Sequence, residues 1–265
     1  MRNGVIGRST FFVAPPAVGD AGGDYCQGFE TYSGYNYLRP GLSSYIKTRH
    51  FETALRLTRA YFGSSGAIDF GCADGPFLPS LSRYFQSVLA VDRDPVLLNV
   101  ARRVVQTTGL TNVQLLCNQD IDDEAFRHSI QHTGFKVLYL LETIEHVGER
   151  EDLYPSKVRF ITSLFRLLDP GGVIVLSVPK MTGLSFLIQR MGLALMGMSR
   201  ESMSRKDFFR SVFLSDTSCL EQRWDGGHLG FNHRMLEQLM RETFTIQKTR
   251  DLFFQKLYLL TNRED

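Results

Sequence analysis

Residues 67–77 of the chain read Ala67-Ile68-Asp69-Phe70-Gly71-Cys72-Ala73-Asp74-Gly75-Pro76-Phe77. The apolar residues at the start are typical of a short buried strand, and apolar residues at helical spacing begin again at Phe77. Two glycines lie between these patterns, at 71 and 75. Because glycine has no Cβ, backbone N–H groups in such a turn can approach a ligand closely, and a helix N-terminus adds unpaired donors. The stretch therefore predicts a strand, a turn and a helix that together bind a nucleotide-like cofactor.

The residues of this turn exclude the two commonest nucleotide sites. A nicotinamide site of the form G-x-G-x-x-G needs glycine where this chain has Ala73 and Pro76, and a P-loop needs a Gly-Lys-Ser/Thr that is absent. Asp69 instead places a carboxylate at the end of the strand, where it suits a positively charged ligand. Asp92 stands 21 residues after Gly71 at the tip of the next predicted strand, the usual position for an acid that binds ribose hydroxyls.

Composition limits the class of protein further. The 265 residues are 43% hydrophobic and 22% charged, which suits one large domain or a domain with an added cap. A net charge of +2 gives no overall basic field for nucleic acid. The four cysteines are widely spaced, and no stretch resembles a signal peptide or a membrane span. The sequence therefore predicts a cytoplasmic protein with free thiols.

Helical and strand patterns alternate after Gly71. This alternation predicts an α/β fold with a mostly parallel sheet and helices on both faces. The acids Asp69, Asp92, Asp120 and Glu142 each end or follow a strand, so they should meet at the ligand-binding edge of such a sheet. The predicted helices are 43–62, 75–85, 95–107, 122–132, 155–168 and 233–242, and the later strands are 87–91, 113–117, 135–141, 173–178, 243–248 and 252–261.

The pattern D-x-G-x-x-x-G at 69–75, followed by Asp92, resembles motifs I and II of class I S-adenosylmethionine-dependent methyltransferases. Asp120-Ile121 and the run 168–179 resemble later motifs of that family and come in the same order, so the resemblance covers roughly residues 65–180. It implies a Rossmann-like, seven-stranded sheet and S-adenosyl-L-methionine as the cofactor. It also implies a set of cofactor-binding residues: Asp69, Gly71 and Gly75 for the methionine moiety, Asp92 for the ribose, Arg93, Asp120 and Ile121 for the adenine, and Leu141 lining the site.

The segment 140–147, Leu-Leu-Glu-Thr-Ile-Glu-His-Val, resembles the E-x-x-E-H-V segment of the ubiquinone-pathway O-methyltransferases. When a methyl group moves from a sulfonium to oxygen, the hydroxyl must lose its proton at or near attack. An imidazole with a pKa near neutrality suits that role, so His146 is the predicted catalytic base. The alternative is that His146 only caps or orients the loop after the strand.

The same segment also suggests a metal site. Glu142, Glu145 and His146 together can hold a divalent cation, and His228 is a candidate for a fourth ligand. A set of two glutamates and two histidines resembles the metal site of the small-RNA 3′-terminal 2′-O-methyltransferases. No basic, aromatic stripe of the kind that binds RNA accompanies it.

The regions before and after the resemblance differ from a minimal fold of this class. We predict a flexible leader with an aromatic lid at 1–42, a methyltransferase domain at 43–265 and a helical cap insertion after the fifth strand, at about 181–228. The lid tyrosines either cover the cofactor or pack the leader onto the domain. The apolar run within 181–213 is followed by basic residues, which predicts either a cap packed on the substrate cleft or contact with a membrane surface or lipid-like substrate.

These observations predict a methyltransferase that acts on a hydroxyl of a small molecule, apolar or lipid-linked. An RNA 2′-O-methyltransferase with metal, and a protein that keeps the cofactor pocket only to regulate, are the alternatives. The methyl acceptor and the oligomeric state are left open by the sequence.

Overall fold

The computed structural model describes residues 11–18, 31–38, 41–118, 130, 134–195 and 203–263. The strands are β1 Gly66–Phe70, β2 Val88–Asp92, β3 Val113–Cys117, β4 Phe135–Leu141, β5 Val173–Pro179, β6 Phe244–Asp251 and β7 Gln255–Asn262. The α-helices within the described ranges are α1 Leu42–Leu57, α2 Leu78–Tyr84, α3 Pro95–Thr108, α4 Leu153–Phe165, α5 Gly183–Leu195, α6 Arg205–Phe209, α7 Ser218–Glu221 and α8 His233–Thr243.

The strands form one seven-stranded sheet in the order β3-β2-β1-β4-β5-β7-β6. Strand β1 pairs in parallel with β2 and with β4, and β2 pairs in parallel with β3. Strands β6 and β7 form an antiparallel pair at the other end of the sheet. The predicted α/β architecture with a mostly parallel sheet is therefore confirmed.

By the density of its internal contacts, the chain divides into two compact units: Met1–Leu140 with Leu164–Val175, and Leu141–Ser163 with Leu176–Asp265. In the first unit, β1 and β2 are buried along nearly their whole length. In the second unit, the core includes Phe231 and Leu236 beside the buried residues of β7.

Local capping explains where the elements begin and end. Helix α3 starts as predicted at Pro95, because the Asp94 side chain accepts hydrogen bonds from the N–H groups of Val96 and Leu97. It ends at Gly109, which has a left-handed φ of 64°. Helix α2 begins later than the predicted residue 75, because Gly75 has φ 82° and cannot belong to a helix.

The segment after β5 contains helix α5, and residues 196–202 lie outside the described ranges, so the cap insertion at about 181–228 stays a prediction. Helix α5 and the helical turn Arg210–Leu214 share a small core of Met181, Phe186 and Val212. In the described part of the chain, no helix is both long enough and apolar enough to cross a bilayer. The predicted helix at 122–132, apart from residue 130, and the lid residues Tyr25 and Phe29 lie outside the described residues.

A buried hydroxyl pair connects α1 to β4 and lets us predict an asymmetry in stability. The Tyr139 hydroxyl lies 2.5 Å from Thr58 Oγ1, which also donates to the carbonyls of Ala54 and Leu55 at the end of α1. Tyr139→Phe should lower the free energy of unfolding by about 1 kcal/mol, because Thr58 keeps its carbonyl partners. Thr58→Val should cost about 2–3 kcal/mol, because it leaves a buried phenol unpaired. Urea denaturation measures both values, and equal losses would contradict the argument.

Candidate active site

The turn after β1 has the backbone geometry of a ligand-binding loop. Gly71 and Gly75 have φ values of 83° and 82°. A Cβ on Gly75 would lie 2.9 Å from Leu78 Cδ1 and 3.2 Å from Ala101 Cβ, so only glycine fits without a shift. Ala73 between them has φ 47°, a left-handed conformation that costs a residue with a Cβ about 1 kcal/mol.

Asp69 is a buried acid whose carboxylate is only partly satisfied by protein groups. Its side chain is 4% exposed, and Oδ2 has no hydrogen-bond partner among the described residues. Burial, reinforced by the negative charge of Asp92, raises the pKa of Asp69 to about 7. An orphaned buried carboxylate oxygen is the group that an ammonium ion would satisfy, so this position fits the amino group of a bound methionine moiety.

Asp92 at the end of β2 fixes the turn while keeping acceptor capacity. Its Oδ2 accepts a hydrogen bond from Ala73 N at 2.7 Å, and its Oδ1 accepts one from Asp94 N at 2.9 Å. Burial raises the pKa of Asp92, and these backbone donors oppose the rise. Each carboxylate oxygen has two lone pairs, so both retain one for a hydroxyl such as those of ribose.

Asp74 is a site residue that the sequence reasoning missed. It is 1% exposed and accepts from Ser33 N at 2.7 Å and from Ser33 Oγ at 2.5 Å, so it holds the leader against the turn. Nearby, the ring of Tyr37 lies 5.2 Å from that of Phe51, which stacks on Phe77 at 4.7 Å. The available signal was a second acid, after Asp69, within the apolar, glycine-rich stretch.

The remaining sequence-predicted cofactor residues are placed as follows. Arg93 directly follows β2 and is exposed, and Leu141 ends β4 and is buried. Asp120 and Ile121 lie outside the described residues.

A second cluster follows β4. Glu142 has a left-handed φ of 51°, and its backbone N donates to Ser177 Oγ at 3.0 Å. The Ser177 hydroxyl in turn donates to Glu142 Oε1 at 3.1 Å. The next residues form a single helical turn, Ile144–His146, that carries the other two predicted ligands.

Glu145 is completely buried, and neither of its carboxylate oxygens has a hydrogen-bond partner among the described residues. Burial and the neighbouring charge of Glu142 raise the pKa of Glu145 well above its usual value. His146 Nε2 and His228 Nδ1 lie 3.9 Å and 3.4 Å from Glu145 Oε1. One ligand atom from each of Glu145, His146 and His228 lies within 4.8 Å of the other two.

The tautomer of His146 follows from its partner. Its Nδ1 lies 2.5 Å from the carbonyl oxygen of Gly226. Because a carbonyl can only accept, Nδ1 carries the hydrogen, and the neutral ring keeps its lone pair on Nε2. That nitrogen can take up a proton or ligate a cation. Because ligand atoms of Glu145, His146 and His228 lie within 4.8 Å of one another, the structure groups His228, rather than Glu142, with Glu145 and His146.

Comparisons with curated proteins indicate the family to which this chain belongs. A family model described as a methyltransferase domain matches residues 47–219. The mitochondrial ubiquinone biosynthesis O-methyltransferase of Schizosaccharomyces pombe is 29% identical over 138 residues, 52% of this chain and 46% of that protein. The ubiquinone biosynthesis O-methyltransferase of Xanthomonas oryzae pv. oryzae is 30% identical over 153 residues, 56% of this chain and 58% of that protein. The matches therefore span about half the length of these relatives.

Solved structures with the same fold include the N-methyltransferase NodS of Bradyrhizobium japonicum with S-adenosyl-l-homocysteine. It has a TM-score of 0.50 and 14% identity, covering 82% of this chain and 88% of that one. An S-adenosylmethionine-dependent methyltransferase of Clostridium acetobutylicum has a TM-score of 0.52 and 13% identity, covering 82% and 92%. Identities this low show the fold alone. With the family model matching more than half of the sequence, the chain belongs to the class I S-adenosylmethionine-dependent methyltransferases.

Proposed function

We propose that this chain transfers the methyl group of S-adenosylmethionine to a hydroxyl oxygen of a small molecule, with His146 as the base. The observation that carries the proposal is the hydrogen bond from His146 Nδ1 to Gly226, which leaves Nε2 as the acceptor. The names of the curated relatives, which are O-methyltransferases, support oxygen as the target. The near-balanced charge of +2 gives no support to an RNA acceptor.

The cofactor roles follow from the chemistry of the turn. Asp69 would bind the methionine amino group. The N–H groups of Gly71 and Gly75 donate to the carbonyl oxygens of Val91 and Cys72, so these glycines would serve the cofactor by letting it approach the backbone closely rather than by donating to it. Asp92 would bind the ribose hydroxyls with its remaining lone pairs. Arg93, Asp120, Ile121 and Leu141 keep the adenine-side and lining roles that the family resemblance implies.

The reaction is an in-line displacement at the methyl carbon. A bond forms from the acceptor oxygen to that carbon as the bond from carbon to the sulfonium sulfur breaks, and S-adenosylhomocysteine leaves. The acceptor proton passes to His146 Nε2. Glu145, 3.9 Å from that nitrogen, would stabilise the imidazolium that forms.

A divalent cation at Glu145, His146 and His228 is the second candidate, and a specific observation favours it. Both oxygens of a completely buried Glu145 lack a hydrogen-bond partner among the described residues, so the site fits a cation that would replace those donors. Two imidazoles and a carboxylate suit a transition ion such as Mn²⁺ or Zn²⁺ better than Ca²⁺. Such a cation would lower the pKa of a bound acceptor hydroxyl.

The acceptor should be apolar, presented at an anionic membrane surface. Along α5, the side chains of Leu184, Ile188 and Met191 are 62%, 42% and 56% exposed and recur at helical spacing. Phe213, in the turn packed against α5, is 63% exposed, and Arg205 with Lys206 adds positive charge at α6. Exposed apolar side chains beside basic residues match the chemistry of an anionic interface.

Asp69→Asn tests the cofactor site. Loss of the carboxylate charge should weaken binding of S-adenosylmethionine about 10- to 100-fold, as expected for a charged hydrogen bond worth about 1.5–3 kcal/mol. Calorimetric titration measures this, with the exposed Glu151→Gln as the control that should bind normally. Unchanged affinity would place the amino group elsewhere.

The same group predicts a pH dependence. Because burial raises the Asp69 pKa to about 7, affinity for the cationic cofactor should fall as pH falls through 7. Without cofactor, the folded state holds this proton at pH values where the unfolded chain has released it. The Asp69 contribution to the free energy of unfolding should therefore decline as pH rises from about 4 to about 7. Asp69→Asn should abolish that decline.

His146→Gln tests the base. With a panel of phenols and catechols, with and without an alkyl chain, kcat should fall about 10²- to 10⁴-fold while cofactor affinity stays unchanged. His228→Gln is the discriminating companion. It should alter kcat little if His146 acts as a metal-free base, and it should match His146→Gln if both histidines bind a cation. If the His146→Gln protein remains active, His146 is a structural residue and not the base.

The chain has a single tryptophan, Trp224, four residues before His228, and it can report on metal binding without an assay of activity. After chelation, addition of Mn²⁺ or Zn²⁺ should produce a saturable change in Trp224 fluorescence, because His228 would move onto the ion. Glu145→Gln should abolish the change, and the exposed Glu149→Gln should preserve it. If the Trp224 fluorescence of the unaltered protein does not change on addition of either ion, the metal site is excluded and His146 acts as a metal-free base.

Co-sedimentation with vesicles tests the apolar surface. Binding to phosphatidylglycerol vesicles should fade as salt rises, because basic side chains near such a surface contribute about 1 kcal/mol each. The double variant Leu184→Ser, Phe213→Ser should lose binding, whereas Phe253→Ser, at another exposed phenylalanine, should keep it. Equal binding by all three proteins would exclude this surface.

A further inference from the structure

Lys157, on α4, is a lysine with no solvent exposure. Its ammonium donates to the carbonyl oxygens of Ile144 at 3.0 Å and Glu145 at 3.1 Å, and also to that of Val147. All three N–H donors of the side chain are therefore used. Their acceptors are backbone atoms of the turn that carries Glu145 and His146.

Aromatic rings from a different segment contact the same ammonium. Lys157 Nζ lies 4.5 Å from the centre of the Trp224 ring and 5.7 Å from that of Phe231. These residues flank His228, and Trp224 Nε1 donates to Gly227 O at 2.8 Å within that segment. Burying a charge is costly unless it is paired, and here three carbonyls and two ring faces offset the cost.

Two further residues on the same side of α4 hold the segment that carries His228. Arg150 Nε, just before the helix, donates to Trp224 O at 2.8 Å. The Tyr154 hydroxyl accepts from Asn232 N at 3.0 Å and donates to Glu221 at 3.0 Å. Tyr154 and Lys157, three residues apart, lie on one face of α4, and Arg150 in the preceding turn contacts the same segment.

We propose that Lys157 is the positioning residue that joins the Glu145–His146 turn to the Trp224–Phe231 segment, and so sets the tautomer and direction of His146. The link is direct. The carbonyl of Gly226 holds His146 Nδ1, and Gly226 lies between Trp224 and Phe231, whose rings contact Lys157. In this role Lys157 touches neither cofactor nor acceptor and acts only through the two segments. The inference rests on the proposed role of His146.

The test compares Lys157→Met, which keeps the chain length and loses the donors, with Lys136→Met. Lys136 is a matched control because its Nζ donates to a single carbonyl, that of Pro170, outside the site. Long-range ¹H–¹⁵N correlation spectra of the histidine rings report each tautomer, and His146→Gln assigns the His146 signal. The native protein and Lys136→Met should show His146 protonated on Nδ1, whereas Lys157→Met should show a mixture of tautomers.

Kinetics provide the second readout. Lys157→Met should lower kcat about 10- to 100-fold, the effect of misplacing a reacting group by about 1 Å, with KM for S-adenosylmethionine unchanged. If Lys157→Met does not fold, Lys157→Gln, which keeps two amide donors, is measured in its place and should show the same changes to a smaller degree. An unaltered His146 tautomer together with kcat within twofold of the native value would overturn the proposal.

The two readouts separate this inference from the proposed function. If the native protein methylates none of the hydroxyl acceptors, the proposed function fails, and the tautomer spectra alone decide the role of Lys157. If the native protein is active but its His146 lacks the Nδ1 proton, the positioning proposal fails while the methyltransferase assignment stands.

Discussion

The parallel pairing of β1 with both β2 and β4 is the constraint on which the rest of the site depends. In this register Asp69 lies opposite Ala90 on one side and Tyr139 on the other, so its carboxylate is surrounded by buried strands. The carboxyl ends of these strands then place Asp92 beside the glycine turn, where it accepts a hydrogen bond from Ala73. The polar residues suited to ligand binding lie at the carboxyl ends of the strands, where the backbone hydrogen bonds between strands end.

Both clusters use the same physical device, a buried acid without a full set of donors. Removing Asp69 and Glu145 from water penalises their charged forms and raises both pKa values. Such groups lower the stability of the unliganded fold, and a cationic partner relieves them. Stability and ligand affinity therefore oppose each other at these positions.

Much of the fold could be predicted from the sequence, because hydrophobic periodicity and turn residues are local signals. The strands 113–117 and 135–141 have their predicted bounds, and the start of α3 at Pro95 follows from its cap. The candidate site was less predictable. The bond from Ser33 to Asp74 and the contact of Lys157 with the Trp224 ring join residues that are far apart in the sequence, and no spacing rule reports such partners. His228 stood out only as a histidine among glycines, and its place beside Glu145 depends on tertiary packing.

Ala73 has a further consequence for recognition. A glycine at this φ would be unstrained but would sample many conformations before a ligand arrives, and ordering it would cost binding free energy. The methyl group of alanine excludes most of those conformations, and the hydrogen bond to Asp92 selects one of the rest. The turn is thus preorganised: a small strain, present in every molecule, replaces an entropy loss that would otherwise accompany each binding event.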